Sequence, residues 1–254
     1  MLENILLGFI QGVTEFLPIS SSGHLAIFHH LSDDYPLLAF DVLAHLGTLI
    51  AIIWFFRFDL SLLVRGVLGQ AGPKITKEQR QLLVELVLAS LPVILVGLLF
   101  GHRAALLFAN PKFLAVGFWV TALLLVLGRF WRLPLKRGRF FLVGICQALA
   151  IIPGISRSAS TIVSSRILGE SKEKAFKFSF LLGLISIGGA VIYEAPQIIR
   201  FNNGQAKEAL VVIAVAFLSG LLALKTLHRL LLSDRMWYLA FYCFFLGLAV
   251  LLFL

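Results

Sequence analysis

Thr14-Glu15-Phe16-Leu17-Pro18-Ile19-Ser20-Ser21-Ser22-Gly23-His24 interrupts an apolar segment that otherwise runs from residue 1 to 31. A second segment, 140–168, is broken in the same way by Pro153-Gly154-Ile155-Ser156-Arg157-Ser158-Ala159-Ser160-Thr161. Each segment has room for two half-length helices and a turn. Polar, proline-containing backbone at membrane depth is tolerated only where protein buries it or it lines a wet cavity. Both segments therefore predict re-entrant hairpins that enter and leave a bilayer on one face. Interfacial loops between shorter spans are the alternative.

Six unbroken apolar runs surround the hairpins, at 36–56, 82–101, 112–129, 178–198, 208–230 and 237–254. Each approaches the roughly 20 residues a helix needs to cross hydrocarbon. The chain of 254 residues is 59% hydrophobic and 14% charged, with a mean hydropathy of +0.96. Soluble domains carry about 25% charged residues, so lipid is the solvent being matched. The N-terminus lacks the basic leader and small-residue cleavage site of a signal peptide and reads as part of the fold. The expected fold is an all-α polytopic membrane protein with six transmembrane helices plus two re-entrant helical hairpins. Three crossings per half is an odd number, which predicts inverted repeats over about 1–130 and 140–254. Gly8-Phe9-Ile10-Gln11 and Gly144-Ile145-Cys146-Gln147 are weakly alike in the two halves.

Charge orients this scheme. Of the 22 lysines and arginines, seventeen fall on the side opposite the N-terminus, including Arg57, Arg80, Arg132, Arg137, Arg166, Lys174 and Arg229. Four (Arg103, Lys112, Arg200 and Lys207) share the N-terminal side, and Arg157 lies inside the second hairpin. Positive residues stay cytoplasmic, so both termini and the mouth of the first hairpin are expected outside. The net charge of +9 thus reflects topology and no nucleic-acid partner. Cys146 and Cys243 lie in apolar stretches without metal-ligand spacing and read as packing residues. Residues 66–80 read as a cytoplasmic loop.

Gln11 and Glu15 are four apart and share one helix face. An acidic side chain in a span costs about 2.5–3.5 kcal/mol to insert, which marks Glu15 as functional ahead of packing. Pro18 ends its half-helix. One of Ser20, Ser21 and Ser22 suffices to cap the next, and the others are free for chemistry. His24 is the side chain that changes charge near neutral pH. In the second hairpin, Gly154 permits close backbone approach. Ser156, Ser158, Ser160 and Thr161 make an anion pocket at a helix start, and Arg157 suits phosphate oxygens. Arg157 equally suits an ion pair with Glu15. Asp41 and His45, also four apart, either line the same cavity or leave Asp41 as a solvated helix-start acid. Together these groups supply a nucleophile, an acid or base, a carboxylate for a cation and a positive charge for phosphate. The integral-membrane acid phosphatases share Ser-Gly-His and Ser-Arg strings but follow the latter with His and Asp. Residues 158–169 hold neither, which excludes that family.

The string from Gln11 to His24, with Pro153–Thr161 reading PGISRSAST, resembles the bacterial undecaprenyl-diphosphate phosphatase family, also called the bacitracin-resistance proteins. Their motifs are (E/Q)xxxE and PGxSRSxxT, and length and hydropathy match over essentially the whole chain. The resemblance implies hydrolysis of undecaprenyl diphosphate to undecaprenyl phosphate and inorganic phosphate in the bacterial plasma (inner) membrane. That step recycles the carrier for peptidoglycan and confers bacitracin resistance. It implies a divalent cation, Mg2+ or Ca2+, and a site opening toward the outer face. Carried over, Ser21 is the nucleophile, His24 its acid/base partner and Glu15 a metal ligand or base. Arg157, Ser156 and Ser158 hold the diphosphate, with Gln11, Ser20, Ser22, Gly154 and Thr161 around it. Many members carry Glu where this chain has Gln11, a neutral amide that cannot act as a base. The partners implied are a polyprenyl diphosphate lipid and the membrane, with a homo-oligomer left open. A lipid-phosphate transporter using the same pocket is the alternative of another class, and a structural scaffold a third.

Overall fold

The computed structural model describes residues 1–32, 37–108, 110–133, 140–196 and 205–254, with backbone alone at 37–38 and 102–108. Lys136, Arg137, Arg139 and Arg200 of the charge count lie outside the described residues. All regular structure among the described residues is helical. The first hairpin is α1 (Leu2–Phe16) and α2 (Ser21–His30). It is followed by α3 (Leu37–Phe55), α4 (Arg57–Val67), α5 (Pro73–Phe108) and α6 (Pro111–Phe130). The second hairpin is α7 (Phe140–Ala148), extended by a 3-10 turn to Ile151, and α8 (Arg157–Ile167). Then come α9 (Lys172–Glu194), α10 (Ala206–Leu232) and, after a 3-10 turn, α11 (Leu239–Phe253).

Five stretches are long and apolar enough to cross a membrane: 73–101, 111–130, 172–194, 206–232 and 236–253. Counting α3 with α4, which meet at a 71° bend, gives six. These correspond to the six apolar runs, so the protein is a multi-pass helical membrane protein. The sequence reading of 66–80 as a loop needs correction. α4 runs to Val67 and α5 starts at Pro73, leaving five connecting residues. Gly69, with φ of 75°, turns the chain, and Pro73 opens a helix because its missing N–H is not needed there.

The hairpins break for local reasons. A residue before proline is pushed to extended backbone. Leu17 ends α1 that way with ψ of 140°, and Ile152 follows the 3-10 turn with ψ of 127°. With 15, 10, 9 and 11 residues, the four hairpin helices fall short of a crossing, and each pair folds back on itself. α1 packs on α10, and α7 on α5; α3 packs on α10, and α9 on α5. Between the hairpins lies an aromatic floor of Phe16, Phe56, Phe176 and Phe180, with Phe16 edge-on to Phe180 at 5.6 Å. Large apolar side chains such as Leu98, Leu222 and Phe245 remain exposed on the outside, as lipid-facing surfaces do.

Candidate active site

Each hairpin turn ends in a serine cap. Ser20 Oγ accepts the Gly23 N–H (3.3 Å) at the start of α2. Ser156 Oγ accepts the Ala159 N–H (3.2 Å) at the start of α8. The capping assigned to one of the three serines thus belongs to Ser20. Its backbone has φ of 70°, an uncommon conformation for a residue with a Cβ that tends to be kept at functional sites. In the second turn, Gly154 takes the positive φ, at 86°. Its Cα region sits against the backbone of Leu114 and Gly117, where a Cβ would collide. Close approach there is what the sequence predicted.

The two turns meet at Glu15. Ser21, the first residue of α2, donates its hydroxyl to Glu15 Oε2 at 2.6 Å. Arg157, the first residue of α8, donates Nη2 to Glu15 Oε1 at 3.0 Å. Gln11 Nε2 donates to Oε2 at 3.2 Å, as four-residue spacing allows. Glu15 is buried and Arg157 partly buried, with side chains 7% and 14% exposed. Of the two roles open to Arg157, the structure therefore shows the pair. Arg157 also donates Nη1 to the Ser179 carbonyl at 3.2 Å, and its guanidinium carbon lies 5.7 Å from the Phe180 ring centroid. Its Nε is buried without a partner among the described residues, leaving a donor in hand.

The remaining hydroxyls form a scaffold around these groups. Ser20 pairs with Ser22, and Ser156 with Ser158, both at 3.2 Å. Ser158 reaches the Leu17 carbonyl across the hairpins at 3.4 Å. Thr161 is tied to Ser179 Oγ at 2.6 Å, which positions the backbone that holds Arg157.

His24 stands apart from Ser21, and no hydrogen bond joins them among the described residues. Its Nδ1 bonds the Ser20 carbonyl and its Nε2 the Tyr242 hydroxyl, both at 2.7 Å. A carbonyl can only accept, so Nδ1 carries the proton, and in the neutral ring Nε2 accepts from Tyr242. Of the two placements the sequence leaves open to Asp41 and His45, the solvated helix-start acid does not form. His45 Nδ1 bonds the Asp41 carbonyl (2.8 Å), while the Asp41 carboxylate accepts His29 Nε2 at 2.8 Å. Asp41 is thus a paired, mostly buried acid and not a solvated one.

Sequence reasoning missed Thr121, Ser179 and Tyr242. Thr121 of α6 ties the second turn, donating to the Gly154 carbonyl (2.8 Å) and accepting the Ser156 N–H (2.9 Å). Isolated hydroxyls in spans commonly bond their own backbone, so nothing local distinguished them. Tyr242 lies in an aromatic-rich run that reads as lipid contact.

Among the described residues no three His, Cys, Asp or Glu side chains gather into a metal cluster. The donor set nonetheless fits a hard cation shared with a substrate. Gln11 Oε1 is a buried oxygen without a partner among the described residues, and the Gln11 amide bonds the Glu15 carboxylate. Mg2+ characteristically takes one or two carboxylates plus substrate phosphates.

A family model described as bacitracin resistance protein BacA matches residues 4–249. The chain belongs to this family. A BacA relative from Methanobrevibacter smithii, named undecaprenyl-diphosphatase, is 35% identical over 268 residues, covering 98% of this chain and 96% of that protein. Undecaprenyl-diphosphatases from Methanococcus maripaludis (34% over 259 residues, all of both chains) and Alkaliphilus metalliredigens (33% over 271 residues, 98% and 97%) are similar as well. These BacA relatives span the whole chain, so both hairpins fall inside the shared region.

Proposed function

We propose that the protein hydrolyses undecaprenyl diphosphate to undecaprenyl phosphate and inorganic phosphate. The observation that carries this reading is the Glu15 carboxylate held between the Ser21 hydroxyl and the Arg157 guanidinium. A transporter has to bind phosphate but has no use for a hydroxyl aimed at a base, so the Ser21–Glu15 bond favours hydrolysis. The relatives named undecaprenyl-diphosphatase supply the substrate class.

Arg157 and its free Nε hold the terminal phosphate, a planar donor fork matched to phosphate oxygens. As Ser21 Oγ attacks the terminal phosphorus, its proton passes to Glu15 Oε2. The bond from that phosphorus to the bridging oxygen breaks, and undecaprenyl phosphate leaves with the bonding electrons. Water then attacks the phosphorylated serine. His24 Nε2, its ring aligned by Tyr242 until it exchanges that hydrogen bond for the water, takes the water proton. Glu15 returns its proton to Ser21 Oγ as inorganic phosphate departs, and His24 then releases its proton to solvent. Glu15 and Gln11 Oε1 would hold a divalent cation, Mg2+ or Ca2+, which when bound supplies charge neutralisation on the diphosphate. The paired packing of α1 on α10 and α7 on α5 supports reading 1–130 and 140–254 as inverted repeats. The lysine and arginine asymmetry supports an inner-membrane protein with its termini and site mouth outside.

The test is phosphate release from a C55 polyprenyl diphosphate by reconstituted protein, with and without a divalent cation. Wild type is expected to release phosphate, and Ser21→Ala to bind substrate but turn over at least about 10³-fold more slowly. His24→Ala is expected to accumulate phosphate on Ser21, read by intact mass. Normal turnover in Ser21→Ala would remove serine as the nucleophile and hand the attack to water.

A further inference from the structure

Three helices end together on the face richest in lysine and arginine, well away from Glu15: α6 at Phe130, α8 at Ile167 and α10 at Leu232. A cleft opens between them, and Arg129, Arg132, Arg166, Asp234 and Trp237 are among its lining residues. Helix C-termini attract cations, and that accounts for part of this cluster. Arg132 Nη1 caps α6 through the Gly128 and Trp131 carbonyls, both at 2.6 Å. Arg166 Nη1 bonds the Glu170 carbonyl.

Capping leaves three features unexplained. It uses a single nitrogen of each guanidinium, out of five N–H donors. Arg129 makes no hydrogen bond among the described residues, and Arg132 and Arg166 repel each other across the cleft. The carboxylate lining the cleft, Asp234, is already bonded to Lys172 Nζ at 2.6 Å. Three lining arginines, with Lys172 beside them, therefore outnumber Asp234 in the cleft and Glu173, which acts on Arg166 from outside its lining. The remaining wall is apolar and includes Trp237, a residue type that settles at membrane interfaces. Basic pockets between membrane helices suit anionic lipid headgroups, and arginine forks suit phosphate oxygens.

We propose that this cleft is a second anion site, binding the phosphate headgroup of an anionic phospholipid with the arginines and its glycerol end against Trp237. It is independent of the hydrolytic reading.

Native mass spectrometry of the full-length protein tests it, with phosphatidylglycerol, phosphatidylcholine of the same acyl chains, or inorganic phosphate added separately. Wild type is expected to retain one more phosphatidylglycerol than phosphatidylcholine. Arg132→Gln/Arg166→Gln should lower that retention roughly tenfold or more, at about 1 kcal/mol per basic residue. Lys225→Gln, which removes one positive charge from exposed α10 surface outside the cleft, should leave it unchanged. Asp234→Asn should act in the opposite direction and raise retention, since it removes the competing anion. Asn tolerates the left-handed backbone at 234 (φ 56°), so this variant decides the matter even if the double variant folds poorly. Equal retention of the two lipids, no gain in Asp234→Asn, or as large a loss in Lys225→Gln would overturn the proposal. Retention of inorganic phosphate in preference to either lipid would overturn the lipid assignment in favour of a free anion.

Discussion

The two hairpins share a scaffold and differ in what they mount on it. Counting from Gln11 and Gln147, the capping serine comes nine residues later in both, at Ser20 and Ser156. Gly8 and Gly144 play the same part three residues earlier, bringing α1 against the Val212 carbonyl and α7 against the Ala89 carbonyl. His24 and Ser160 then correspond, and each bonds the carbonyl of its capping serine. Yet Glu15 corresponds to Ile151, and Ser21 to Arg157. The first hairpin carries a carboxylate, a hydroxyl and an imidazole, whereas the second carries the guanidinium. A charged pair split between two independent elements forms only when both are docked, so site assembly and folding are coupled. Stability is shared between the hairpins, and in the proposed reaction the bond-making groups come from the first.

The sharpest way to break this division is to remove one of the paired charges. Breaking a buried pair by removing one partner costs about 3–5 kcal/mol, because the other charge is left uncompensated. Arg157→Gln should therefore lower thermal stability by that order and reduce turnover by about 10³-fold. The double variant Glu15→Gln/Arg157→Gln should regain most of the stability and none of the activity. Recovery of activity together with stability would mean that the pair is purely structural.

Tyr242 tests the same division from outside the hairpins. Its side chain is supplied by α11, which is pinned to α6 by Trp119 Nε1 donating to the Phe244 carbonyl at 3.2 Å. Tyr242→Phe keeps the ring, stacked 5.7 Å from His24, and deletes only the hydroxyl. Turnover is expected to fall by about tenfold, less than the roughly 10²-fold or more that losing an acid–base group costs, with little change in KM. Nitrogen NMR of His24 should show Nε2 losing its hydrogen bond while Nδ1 keeps its own. An unaltered Nε2 signal would place the hydroxyl elsewhere in solution.

These two tests also mark what could be read from sequence. The six runs and two interruptions were legible because apolar length and proline-broken polarity are local signals. Glu15 and Arg157 were legible because charge in a span is costly wherever it occurs. Which serine caps and which hydroxyl meets Glu15 turn on the backbone at Ser20, which three adjacent serines leave open, and where His24 turns depends on Tyr242, 218 positions away. Arg157 illustrates this, since both its roles fitted the sequence and the 3.0 Å approach to Glu15 was needed to show the pair. Asp41 meets His29 only 12 positions away, yet the two lie on different helices and no shared face linked them.

A smaller effect should separate Gln11 from Gln147. Gln11 has a carboxylate four residues on and uses it, whereas Gln147 faces Ile151 in the corresponding place. Gln147 is fully buried, and among the described residues neither its Oε1 nor its Nε2 has a partner. Replacing a buried unsatisfied amide by an apolar group of similar size is neutral or stabilising, by up to about 1–3 kcal/mol. Gln147→Leu should thus hold or raise the unfolding midpoint with turnover unchanged, while Gln11→Leu should lose activity. A loss of activity in Gln147→Leu would give α7 a polar role that the comparison denies it.

The smallest effect belongs to an ion pair at the surface, which calibrates the buried one. Asp234 lies in the turn after α10 with its side chain 45% exposed, and Lys172 is 23% exposed. The hydrogen bond from Lys172 holds the Asp234 carboxyl below its ordinary value near 3.8, outweighing the slight cost of burial. A lowered folded-state value means the pair's contribution is fully present above the unfolded-state value and lost as pH falls through the folded one. From pH 5 upward the contribution should be constant, and below about 4 it should disappear. Exposed pairs are screened and worth about 0–1 kcal/mol, so Asp234→Asn should shift the unfolding midpoint only slightly at pH 6. That shift should vanish toward pH 3 and in high salt. The same acid titration applied to Glu15→Gln should show a far larger difference at pH 6, because depth in the protein, and not the presence of a pair, sets the cost of losing one. Equal responses from the two sites would mean that water reaches Glu15 as freely as it reaches Asp234.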